Sequence, residues 1–141
     1  MGRPSDYTPE IAAVICERLV EGQSLRSICK ADDMPAIRAV FQWLTKHEAF
    51  AQQYAHAREL QADTFADEIT DIADDGSRDY IATEAGRVVD HDHIARARLR
   101  VDARKWIAAK LKPKKYGDKL ELGGNSNAPI KLVLTGSDIQ G

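Results

Sequence analysis

Apolar positions recur at helical spacing through most of this chain, and the intervals between them mark out its elements. Ile11, Val14, Ile15 and Leu19 predict a first helix from about Pro9 to Glu21. Thr8 suits its N-cap, Pro9 its first position and Gly22 its end. A second short helix follows Ser24, another N-cap residue, with Leu25, Ile28 and Cys29 on one face, and "ADDMP" breaks it. The third runs from about Ala36 to Lys46. Ile37, Val40, Phe41 and Leu44 form its apolar stripe, while Arg38, Ala39, Gln42, Thr45 and Lys46 collect on the opposite side.

The spacing then lengthens. Glu48 to about Asp75 reads as one long helix, roughly 40 Å at 1.5 Å per residue, with Phe50, Tyr54, Phe65, Ile69 and Ile72 on a face rich in alanine. "DYIA" and "RVV" flank "TEAG" and favour a small β-hairpin near 79–90 over an irregular loop. A second long helix spans 93–112, with Asp92 as its N-cap and Pro113 as its stop. This helix carries two apolar rows: Leu99, Ala103, Trp106 and Ile107, and separately Ile94, Ala97, Val101 and Ala108. Arg100 and Arg104 lie between them on one flank. A helix apolar on two sides must be covered twice. One long helix of the same chain covers one row, so a second copy is expected on the other. "RLRVDARKW", Arg98 to Trp106, is open to a nucleic-acid, membrane-surface or partner role, and reads first as an assembly seam. Beyond it, "GGNSNAP" is a linker, and "LEL" at 120–122 and the alternating "IKLVLT" predict two short strands, more secure if paired between copies.

The expected fold is therefore mainly α. An N-terminal helix-turn-helix domain occupies 1–47. A central oligomerisation region occupies 48–118, built on a long antiparallel helix pair with the hairpin inserted. A C-terminal β segment or tail occupies 119–141. Two short helices joined by a tight break, the latter amphipathic, fit a helix-turn-helix whose third helix anchors through its stripe and offers Arg and Gln to base edges in a major groove. A plain three-helix bundle gives the same pattern, and both readings stand at this point.

Charge distribution sharpens the picture more than its sum. The 141 residues are 43% hydrophobic and 30% charged, with a net charge of −2, which is globular composition. Residues 48–92 hold three basic against twelve acidic side chains, net −9, whereas 93–119 hold ten against two, net +8. The arginines of the second long helix thus have countercharge in the preceding block. No apolar run reaches the roughly 20 residues of a membrane span, and "MGRPSDYTPE" has no apolar core, so neither a membrane partner nor a secretory signal is expected. Cys16 and Cys29 fall on apolar helical positions and read as buried, reduced thiols of a cytosolic protein.

Candidate chemistry is sparse. There is no GxxxxGK[ST] phosphate loop. "HDH", His91–His93, lacks the further ligands of a metal site. Asp67, Asp71, Asp74 and Asp75 read as an electrostatic helix end in preference to a magnesium site. No catalytic residue, metal or cofactor is expected. "GRP" at Gly2–Pro4 has the core of an AT-hook, but without flanking basic residues it reads as a disordered arm. "KPKK", Lys112–Lys115, with Tyr116, is either a solvated segment or a contact for DNA or a protein partner.

"GRPSDYTPE", "SLRSICKADDMP", "VFQWLTKHEAF" and, most specifically, "HIARARLRVDARKWIAAKLKPKKYGDK" resemble the small terminase subunits of tailed bacteriophages and prophages, over most of residues 2–119. The resemblance implies a non-catalytic packaging component that forms a ring-shaped homo-oligomer. Such a protein binds the packaging-initiation site on double-stranded viral DNA. It also recruits and regulates the large terminase subunit, which carries the ATPase and nuclease. Its place would be the host cytoplasm, not the mature virion. By position it assigns DNA-facing roles to Arg38, Gln42 and Lys46, phosphate contacts to Arg26 and Lys30, and the oligomer seam to Leu99, Arg100, Val101, Arg104 and Trp106. Ala36 and Ala39 offer no hydrogen bonds, so base readout is expected to be sparse, with avidity and DNA bendability contributing. The alternative is a helix-turn-helix transcriptional regulator with a helical dimerisation domain.

Overall fold

A computed structural model describes residues 3–117, 119–123 and 131–135, the last two segments by their backbone course. The chain is mainly helical, in the order α1 (Pro9–Val20), α2 (Leu25–Ile28), α3 (Ile37–Lys46), α4 (Glu48–Asp74), β1 (Tyr80–Thr83), β2 (Gly86–Val89), α5 (His91–Leu111), α6 (Pro113–Tyr116), β3 (Lys119–Gly123) and β4 (Lys131–Thr135). It divides into two compact units, Met1–Asp71 and Ile72–Gly141.

In the N-terminal unit the helix boundaries follow from local chemistry. Thr8 Oγ1 accepts from the Ile11 amide at 3.2 Å, and Ser24 Oγ from the Ser27 amide at 3.1 Å. Each satisfies one of the donors a helix start leaves unpaired. At the end of α1 the Gln23 amide reaches Arg18 O and the Gly22 amide reaches Leu19 O. This paired closure needs a left-handed residue, and Gly22 supplies it with φ +106°. The carbonyls left over at that corner go to side chains of α4: Thr64 Oγ1 donates to Val20 O at 2.6 Å and Gln61 Nε2 to Gln23 O at 2.8 Å. Gln61 is fully buried, and its own oxygen accepts from Arg58 at 2.6 Å, so burying the amide leaves no polar atom unpaired.

The core of this unit joins Ile15, Leu19, Ile28, Met34, Val40, Trp43 and Phe50. Tyr7 lies stacked on His47, with ring centroids 3.9 Å apart, and edge-on to Trp43 at 5.6 Å, pinning the segment before α1 to the α3–α4 junction. This corrects the expected stripe of α3. Phe41 is 53% exposed and Trp43 only 5%. The buried row runs Val40, Trp43, Phe50 across the junction, because Tyr7 and Phe50 complete a pocket for the indole that no local pattern reveals. Cys16 and Cys29 are both buried, and burial raises both thiol pKa values, with Arg3 partly offsetting the rise at Cys29.

The C-terminal unit begins with the last turn of α4. Its hairpin pairs Tyr80 with Val89 and Thr83 with Gly86 in antiparallel register. Glu84 and Ala85 keep negative φ, so the reversal falls on Gly86 at φ +115°, as in loops closed by a left-handed glycine. Helix α5 starts two residues earlier than expected. Its N-cap is Asp90, whose Oδ1 accepts from the His93 amide at 3.0 Å, and Asp92 lies inside the first turn. Pro113 opens the short helix α6 after the break at Lys112. β3 and β4 pair antiparallel within one chain, Leu120 opposite Leu134 and Leu122 opposite Leu132. Most of the expected linker, and Ile130, lie outside the described residues.

Candidate nucleic-acid interface

Helix α2, the turn and helix α3 present the cationic residues that the resemblance assigns to DNA. Arg26 is exposed in α2, and Lys30 is exposed just past its C-cap Cys29. On α3, Arg38, Gln42 and Lys46 are all exposed at intervals of four, one side of the helix. Among the described residues none of Arg26, Lys30, Arg38 or Lys46 enters an ion pair, whereas Arg18 faces Asp33 at 3.9 Å. The cationic side chains of α2 and α3 are therefore available to a polyanion, although residues 1–47 carry no net charge. Ala36, the N-cap of α3, makes no side-chain cap.

Arg3 has a place the sequence does not reveal. Its guanidinium donates to Cys29 O at 2.6 Å, to Met34 O at 3.2 Å and to Ala31 O at 3.4 Å. These carbonyls belong to the end of α2 and the turn into α3. Arg3, expected in a disordered arm, is thus a clamp on the helix-turn-helix, and its cation is occupied by the turn. Arg3 and Arg26 also line one shallow concavity of about 360 Å³ with Cys29, Ala36 and Ile37. Phe41, on the same face as Arg38 and Gln42, is a further residue that sequence reasoning misplaced. Its apolar character assigned it to the core.

In the C-terminal unit the two rows of α5 have different surroundings. Val101 lines a cleft with Ile72, Ala73, Ile94, Ala97 and the charged Arg98 and Asp102. On the other row Leu99 and Trp106 are each 64% exposed. Arg100 is exposed, and its carbonyl accepts from Arg104 at 3.3 Å. Lys110 sits 5.4 Å from the Trp106 ring. His93 Nε2 is 3.8 Å from Asp79. Asp75, fully exposed, has its pKa lowered by hydrogen bonds from Ser77.

A profile of the family described as "Bacteriophage Sf6, terminase small subunit-like" matches residues 7–123, which hold α1 to β3 but not Arg3. The chain belongs to that family. Solved structures agree. Three crystal structures of the terminase small subunit gp1 of the bacterial virus Sf6, each with a single substitution, are 43% identical to this chain, with a TM-score of 0.66. Each alignment covers 98% of this chain and 100% of the viral one. No curated protein sequence gives a significant match. The protein is thus a phage terminase small subunit, a part of the genome-packaging apparatus. Among the described residues of this terminase subunit no helix is long and apolar enough to cross a membrane.

Proposed function

We propose that this terminase small subunit binds the packaging-initiation site on double-stranded viral DNA as a ring-shaped homo-oligomer. In the host cytoplasm it hands that site to the large terminase subunit, whose ATPase and nuclease activities it regulates without catalysis of its own. The observation that carries the DNA reading is the exposed row of Arg38, Gln42 and Lys46, in no ion pair among the described residues, on a helix held by Val40 and Trp43. A recognition helix needs that division, with apolar anchors on one side and hydrogen-bonding cations on the other. Arg26 and Lys30 take the flanking phosphates.

The ring reading rests on α5. Leu99 and Trp106 form a bare apolar row, flanked by Arg100 and Arg104, while Val101 opens onto a cleft lined by other residues. Two unlike surfaces associate head to tail, and head-to-tail contacts close into rings. A transcriptional regulator would instead dimerise about a twofold axis. Light scattering on the full chain separates these: a mass well above two chains is expected, and a mass of two favours the regulator. Arg38→Ala with Lys46→Ala should leave that mass unchanged and weaken binding to viral DNA. Its log–log salt slope should fall by about 0.9 per lost phosphate contact. Unchanged affinity and slope would move the DNA surface elsewhere, with Lys112–Lys115 tested next.

A further inference from the structure

Phe41 is the most exposed large apolar side chain among the described residues of the N-terminal unit. It is 53% exposed, against 37% for Leu60, the next. Single exposed apolar residues are ordinary on protein surfaces. What sets Phe41 apart is its position on α3. It lies three residues after Arg38, directly before Gln42 and four before Thr45. Thr45 adds to its apolar character: its hydroxyl donates back to Phe41 O at 3.1 Å, which leaves the γ-methyl as the group available for outside contact. Between Arg38 and Lys46, then, the outward face of α3 offers a ring, a methyl and one carboxamide. The core does not compete for the ring, since Val40 and Trp43 already fill the buried side.

Resting on the DNA reading above, we propose that Phe41 is a sequence-determining residue that packs against the 5-methyl group of thymine in the major groove. The cations around it fix the class of partner, because they suit phosphates on either side of a groove. Within a major groove the thymine methyl is the apolar group that base edges display, and aromatic or methyl-bearing side chains are its complement. Gln42 beside the ring matches the adenine edge, which offers a donor and an acceptor to a carboxamide. The preferred sites are therefore A·T steps, read by shape and methyl contact more than by hydrogen bonds.

The test compares thymine with deoxyuridine, which lacks only the methyl. Short duplexes are selected from a random pool on the full wild-type chain, then remade with either base. For the wild type, deoxyuridine should weaken binding about fourfold per contacted thymine, the worth of one buried methyl. Phe41→Ala should bind both versions alike, with the salt slope and oligomer mass of the wild type, and Phe41→Leu should recover part of the discrimination. Equal wild-type affinity for both duplexes overturns the thymine contact and leaves the DNA reading standing. Absence of DNA binding overturns both. A Phe41→Ala protein of changed mass that still discriminates makes Phe41 a protein contact, and overturns it too.

Discussion

In the N-terminal unit Ala12, Ile15, Leu19, Val40 and Phe50 are closed off from solvent, whereas beyond residue 71 Ala108 is the one buried apolar residue among those described. The imbalance runs the other way at the surface. Tyr80, Ile81, Val88, Val89, Ile94, Leu99 and Trp106 are all exposed in the C-terminal unit, against Phe41 and Leu60 in the N-terminal one. One unit has caps, a glycine closure and an aromatic pin that complete it within a single chain. The other displays its apolar side chains, and burying them at about 25 cal/mol per Å² is a large source of stability the single chain leaves unused. The first closes its core within one chain, and the second leaves its large apolar side chains open to solvent.

Mutations at matched sites sharpen this contrast. Phe50→Ala, at the centre of the aromatic pin, should cost the N-terminal unit about 3–5 kcal/mol. That is a large share of the 5–15 kcal/mol a domain usually has. Urea unfolding followed by circular dichroism should show a midpoint far below the wild type, and a small shift would mean that the pocket collapses around the gap. Leu99→Asp should act in the opposite way. It places a charge on the bare row of α5, so the helical signal stays and the mass in solution falls toward one chain. A retained oligomer would show that copies meet through another surface. Smallest is Thr8→Ala, which removes one cap bond and should lower the urea midpoint by the equivalent of about 1 kcal/mol, with the oligomer mass unchanged. No shift would mean that Pro9 and the packing of Tyr7 hold the start of α1 without it.

Much of this arrangement was legible in the sequence where short-range chemistry decides it. Thr8, Pro9, Gly22 and Ser24 bounded α1 and α2 through interactions within a few residues, and the exposure of Arg38, Gln42 and Lys46 followed from helical period alone. The hairpin was readable from its apolar pairs around a glycine. Choices set by distant partners were not. Ile37, Val40, Phe41, Trp43 and Leu44 populate so wide an arc of a ten-residue helix that two phases fit equally. Tyr7, 36 positions before Trp43, selects the one that buries the indole. Arg3 reaches carbonyls 26 to 31 residues away, and nothing in "GRP" announces that. Likewise Asp90 and Asp92 both suit a cap, and the end of the hairpin, where the Asp90 amide bonds to Asp79 O at 2.7 Å, picks the former.

The two buried thiols give the N-terminal unit a built-in clock. Cys16 and Cys29 sit among the side chains that define its core, and burial keeps both protonated beyond the usual range of a thiol. The thiolate is the nucleophile that attacks an alkylating reagent, so burial slows the reaction of both thiols in the closed unit and favours modification through opened molecules. Where reclosing is fast, the rate of label uptake then measures the population of the open form. Both cysteines lie in the unit that carries α3, and the described residues from 72 onward hold none. Label uptake therefore reports the opening of the unit that carries α3, separately from any event in the unit beyond residue 71.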